Sequence, residues 1–158
     1  MRYINLKNRI QFDVIGKPYG QKRPRAVRRG GFISMYSPKE NVDYSVNVVN
    51  AYLQAIGGLK IGKGYQHTTY GKKPLVIEIQ AYFKKPKISK KQESLNLIED
   101  RFPGKKPDSD NIAKSILDSL NKVAYDDDAC VVSLSVDKFY CYDNMTEERV
   151  NVVIYEKE

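Results

Sequence analysis

Between two groups of aspartates, PDSDN (107–111) and DDD (126–128), lies the stretch IAKSILDSLNKVAY. Taken as a helix over 110–123, it puts Ile112, Ala113, Ile116 and Leu120 on one face. Asp110, Lys114, Asp118 and Asn121 fall on the opposite face, with Asp110 and Lys114 as i, i+4 neighbours. A helix this short and this two-faced is stable only when its apolar stripe covers another layer, so the rest of the chain must supply that layer. Asp108 lies just ahead of the helix, where Pro107 favours an extended entry. Asp126, Asp127 and Asp128 stand where the chain leaves the helix for a strand.

The strands are legible. RIQFDVIG (9–16) alternates Ile10, Phe12 and Val14 with Arg9, Gln11 and Asp13. PLVIEIQAYFKK (74–85) has a β-branched core. Cys130–Tyr142 and Glu147–Glu156 read as two further strands, joined by a turn at Asp143-Asn144 and paired as a hairpin. Gly30-Gly31 marks a turn between short strands at 22–28 and 32–36. A helix is expected from Ser37 as N-cap and Pro38 as first helical residue to about Ala55, ending at Gly57-Gly58. Its apolar stripe is expected to be Val42, Val46, Val49 and Leu53. Residues 59–73 are rich in glycine and lysine and read as a loop, and 86–100 fits a short helix capped by Ser89. The expected fold class is α+β, a single domain over 1–158. It would hold a mixed or antiparallel sheet of about four to six strands with two or three helices.

Charge narrows the partners. The 158 residues carry a net charge of +8. Residues 1–91 hold 19 Lys/Arg against four Asp/Glu, whereas 92–158 hold eight against 15. A basic half of this size suits a polyanion, most simply nucleic acid. Lys22, Arg23, Arg25, Arg28 and Arg29 are the first candidates for backbone contacts, followed by Lys84, Lys85 and Lys87. Phe32, Tyr36 and Phe83 could stack at DNA, but core packing is the expectation for them. No apolar run approaches the roughly 20 residues that span a bilayer, and MRYINLKNRIQFDV lacks signal-peptide features, so a cytoplasmic location is expected. Cys130 and Cys141 are expected to be free, buried thiols, and the single histidine, His67, argues against a zinc site.

Six of the 19 carboxylates therefore fall within residues 108–128 of a basic protein. Two readings are open on the residues alone. In the first, Asp108 caps the helix, Asp110 suits its positive end, Lys114 pairs on the surface and the DDD run is a solvated turn. In the second, the carboxylates hold a divalent cation, which takes oxygen ligands, and Lys114 touches a phosphate as a point charge.

The run KPDSDNIAKSILDSLNKVAYDDDACV (106–131) resembles the signature of the RusA-like Holliday-junction resolvases, small endodeoxyribonucleases often carried by phages and prophages. GKPYGQKRPRAVRRGGFISMYSPK (16–39) resembles the basic N-terminal segment of that family, and AYFKKPKISKKQ (81–92) its phage members. The resemblance implies that Asp108, Asp110 and Asp128 are catalytic, metal-binding carboxylates and that Lys114 is the catalytic, phosphate-contacting lysine. Asn111, Asp118 and Asp127 would support them. It implies Mg²⁺, with Mn²⁺ able to substitute, and branched DNA as substrate in recombination and repair. It also implies a homodimer making paired symmetric nicks that leave a 5′-phosphate and a 3′-hydroxyl. The triple aspartate leaves the third ligand open by one residue, and Cys130 stands where the family often has glutamine. A junction-binding accessory protein without catalysis is the alternative. A nucleotide-sugar enzyme using D-x-D is disfavoured, because no nucleotide-binding βαβ pattern surrounds the motif.

Overall fold

The computed structural model describes residues 8–57, 68–85, 102–141 and 147–158. The expected helix in 86–100, Lys87, His67, most of the 59–73 loop and the Asp143-Asn144 turn lie outside these residues. The elements are β1 (Ile10–Ile15), β2 (Arg25–Arg29), β3 (Phe32–Tyr36), α1 (Lys39–Ala55), β4 (Leu75–Phe83), α2 (Ser109–Leu120), a 3-10 turn (Asp128–Cys130), β5 (Val131–Tyr140) and β6 (Arg149–Glu156). The class is the expected α+β.

The main sheet runs β1-β6-β4-β5, and β2 with β3 forms a separate antiparallel pair. β5 and β6 are thus not the hairpin that their neighbourhood in sequence suggested. β4 lies between them, parallel to β5 and antiparallel to β6. Burial decides this order. β4 has Leu75, Val76, Ile77, Ile79, Ala81 and Phe83 buried, and a strand this apolar needs neighbours on both edges. The chain then returns through α2, as a parallel connection requires.

One sheet face packs on both helices. Phe12, Val14, Ile77, Ile79, Val150, Val152 and Ile154 form a single core with Tyr44, Val48 and Tyr52 of α1 and with Ile112, Ile116 and Leu120 of α2. Each fully buried Ile or Leu contributes roughly 1.5–3 kcal/mol. The other face is polar, with Gln11 donating to Asn151 and Asn151 donating to Asp13.

α2 buries the four residues expected of it. The stripe of α1 differs: Tyr44, Val48 and Tyr52 are inside, while Val42 and Val46 are 54% and 52% exposed. Tyrosine can sink its ring and still satisfy its hydroxyl. Tyr52 meets Phe12 edge-on at 5.8 Å and its hydroxyl bonds Thr69. The N-terminus differs too. Pro38 occupies the cap position, and the Ser37 hydroxyl accepts from Asn41 Nδ2 instead of capping. β2 starts at Arg25 and not at Lys22, because the Lys22 backbone is held by the Asn41 side chain through both its N–H and its carbonyl. Both cysteines are free; Cys141 is buried, which pushes its thiol up, and Cys130 is half-buried. Among the described residues no helix is long and apolar enough to cross a membrane.

Candidate functional site

The N-terminus of α2 presents two unspent carboxylates. Asp108 holds the N-cap position with extended backbone, φ −71° and ψ 148°, yet its side chain makes no capping bond. Asp110, in the first turn, is exposed, and among the described residues neither carboxylate has a hydrogen-bond or ion-pair partner. Ordinary capping, the simplest account of Asp108, is therefore not what the side chain does. Both acids sit in the favourable field of the helix N-terminus.

Three residues that the sequence reading overlooked hold this end in place. Lys138 of β5 lies 5.7 Å from the Phe83 ring centre and donates to the carbonyls of Lys105 (2.5 Å) and Pro107 (3.0 Å), anchoring the entry to α2. Gly20 lies against the same proline, where an added Cβ would come within 2.6 Å of Pro107 Cβ and 3.3 Å of Asn111 Cβ. Gln21 donates its backbone N–H to the Asn111 carbonyl at 3.0 Å and its side-chain amide to Asp118 Oδ2 at 2.6 Å. The Ser115 hydroxyl adds a bond to the Tyr19 carbonyl. The only sequence signal for this docking was the Gly-Gln pair within KPYGQKRPR. Asn111 takes part through its main-chain carbonyl.

Lys114 and Asp118 continue the same helix face. Lys114 Nζ is 3.1 Å from Asp118 Oδ2, an exposed i, i+4 pair worth a few tenths of a kcal/mol. Asp118 is thus held by Gln21 and Lys114 together.

At the far end of α2 the three aspartates separate by role. Asp126 accepts from the Thr68 hydroxyl at 2.5 Å, and its backbone N–H donates to the Gly71 carbonyl. Asp127 accepts from the Ala129 N–H at 2.9 Å and caps the 3-10 turn. That N–H, and next the contact with Asp128, hold the Asp127 carboxyl below its usual range. Asp128 has no N–H or cation partner among the described residues; of the three it is the one left for other chemistry. Nearby, the Tyr125 hydroxyl donates to the Leu117 carbonyl at 3.0 Å. Burial first, then Asp128 and Asp118, push that phenol up, so it stays a neutral donor.

The acids form a strip along α2 and do not converge in one chain. β5 starts beside Gly71, where Asp126 and Cys130 contact its carbonyl, and ends with Lys138 on Pro107. Strand and helix therefore run in opposite directions, with Asp108 at one end and Asp128 at the other of a 12-residue helix that rises about 18 Å. The DDD loop stays where the helix ends, because β5 leaves directly from it. Among the described residues no three His, Cys, Asp or Glu side chains form a group that could hold a metal. The adjacent pair Asp108 and Asp110 still fits Mg²⁺, which is usually held by one or two carboxylates with water and substrate oxygens.

The basic candidates fall on two segments. Lys22 pairs with Glu40 at 3.1 Å, while Arg23, Arg25, Arg28 and Arg29 are exposed on or beside β2. Lys84 and Lys85 follow β4 at the same end of the sheet as Lys138 and Pro107. Phe83 is buried as expected, but Phe32 and Tyr36 are not core residues. They are 81% and 49% exposed, because among the described residues β2 and β3 pair only with each other and no layer covers them.

Two comparisons bear on this arrangement. Over 150 residues the chain is 31% identical to "Uncharacterized protein YqaN" of Bacillus subtilis (strain 168), covering 93% of this chain and 96% of that protein. Residues 16–155 match the family model Endodeoxyribonuclease RusA, a span that takes in the docked basic segment, both groups of aspartates and every strand except β1 and the last residue of β6. The chain belongs to the RusA endodeoxyribonuclease family.

Proposed function

We propose that the protein is a Mg²⁺-dependent endodeoxyribonuclease that resolves four-way DNA junctions by paired symmetric nicks, acting as a homodimer in recombination and repair. The observation that carries the reading is the pair of unspent carboxylates, Asp108 and Asp110, at the positive end of a helix onto which an acid-free basic segment is docked. Asp108 and Asp110 would hold the cation, with Mn²⁺ able to substitute. Such a cation supplies charge stabilisation at the phosphate and a bound water of lowered pKa. Lys114, oriented by Asp118, reaches the scissile phosphate from one helical turn away. The arginines of 23–29 neutralise phosphates on the arms.

Asp128 is the third catalytic carboxylate in this reading, and the two-fold axis supplies the way to it. β5 is an edge strand, and Val132 and Leu134 on it are 55% and 43% exposed. A second copy laid antiparallel along that edge would bring Asp128 of each copy toward Asp108 and Asp110 of the other. Two sites would result, matching the two-fold symmetry of a four-way junction. The separation of the acids within one chain also favours a second reading, a junction-binding accessory protein without catalysis.

A synthetic four-way junction and a linear duplex of the same sequence, each with Mg²⁺ or EDTA, decide between the two. Symmetric nicks in the junction alone, only with Mg²⁺, are expected. Tight binding with no nick in Mg²⁺ or Mn²⁺ would select the accessory protein, and equal cutting of the duplex would select a general nuclease.

A further inference from the structure

The β2–β3 ribbon is built for more than phosphate. Among the described residues it pairs only with itself, and every residue on it is exposed except Val27, which is half-buried. Residues 17–39 carry seven Lys/Arg and no Asp/Glu, so its partner is an anion. The register puts Arg25 opposite Tyr36, Val27 opposite Ser34 and Arg29 opposite Phe32. Side chains directly across an antiparallel pair share a face, with Cβ atoms about 5 Å apart. One face therefore presents two arginine–aromatic pairs, and the other presents Arg28, Ile33 and Met35.

A ribbon that only neutralised phosphates would gain nothing from exposing Phe32 and Tyr36. Guanidinium planes and aromatic rings side by side suit the flat face of a nucleobase. In a stacked duplex those faces are hidden and only base edges reach the grooves. They are open where strands part. We propose that the Arg25–Tyr36 and Arg29–Phe32 face stacks on bases that are unstacked at a DNA branch point. This rests on the branched-DNA reading above. The root of the ribbon is tied to α2 by Gly20 and Gln21, so bound bases are held beside Lys114 and Asp118. A second copy of the ribbon is a poor occupant, because two such cationic faces repel.

The test uses the full chain in EDTA, which removes cleavage. A four-way junction with 2-aminopurine at the branch, a linear duplex and a single strand are titrated with wild type, Phe32→Ala, Tyr36→Ala and Met35→Ala. Wild type is expected to change the 2-aminopurine fluorescence. Phe32→Ala should abolish that change and weaken junction binding about ten-fold while leaving duplex binding nearly unaltered. Met35→Ala, on the other face, should behave as wild type. Phe32 is 81% exposed and stands outside the core cluster of the described residues, so an unchanged thermal melt is expected for its variant. Junction preference and fluorescence that survive in both aromatic variants overturn the proposal, as does sedimentation showing that Phe32→Ala dissociates a dimer. If wild type binds junction and duplex alike, the junction reading fails. The base-stacking proposal then stands only if Phe32→Ala still weakens single-strand binding about ten-fold.

Discussion

Asp108 and Asp110 share a helix end but differ in what their neighbours leave them to do. Asp108 occupies the position where a carboxylate ordinarily caps, and does not cap. Asp108→Asn and Asp110→Asn should each lower junction cleavage by about 100-fold or more while junction affinity in EDTA stays near wild type. Single-turnover cleavage beside equilibrium binding reads both quantities. At the other aspartates the side chains have already divided the work. Asp126 is taken by Thr68 and Asp127 by Ala129, which leaves Asp128. Asp128→Asn should therefore lose cleavage with little change in melting temperature, whereas Asp127→Asn should retain most activity. The reverse result would move the third carboxylate by one residue. The run DDD alone could not make this distinction, since three identical residues differ only in which donors the fold points at them.

Among the elements, the 3-10 turn and the docked segment 19–22 set the geometry. Asp127 has a folded value below its ordinary 3.8, so its cap on the turn is complete at neutral pH and is lost as pH falls through that lowered value. Following the Ala129 amide by NMR should give a titration midpoint below 3.8. Gly20 is the close approach on which the basic segment depends. Gly20→Ala forces a Cβ to within 2.6 Å of Cβ in the rigid Pro107 ring, so the 19–22 segment and the helix entry must part. Loss of about 1–3 kcal/mol in urea unfolding is expected, with a fall in cleavage because Pro107 carries Asp108. Most of these elements were legible from periodicity: β1, β4 and the buried face of α2 follow from alternating or helical apolar spacing. The stripe of α1 was not, because counting valines favours Val42 and Val46, while the pocket above Phe12 is filled by Tyr52.

For the whole molecule, the charge asymmetry and the open edge of β5 belong together. An edge strand exposing Val132 and Leu134 invites pairing, and in this chain pairing would also complete a site. Leu134→Lys should shift the protein toward monomer in sedimentation and abolish cleavage, while leaving the fold intact by circular dichroism. A monomer that still nicks junctions at the wild-type rate would remove the shared site.

The amino-acid sequence by itself determined the class of fold, the amphipathic α2, the aspartate and lysine spacing on it, and the basic character of the N-terminal half. All are local, because they depend on periods of two and 3.6 residues and on neighbours a turn apart. Tertiary structure decided the rest: that β4 separates β5 from β6, that Gly20 and Gln21 clamp the basic segment to α2, that Phe32 is exposed, and that Asp108 and Asp128 end far apart. Each of these is settled by which surfaces bury one another, a competition among distant segments that no stretch of sequence contains.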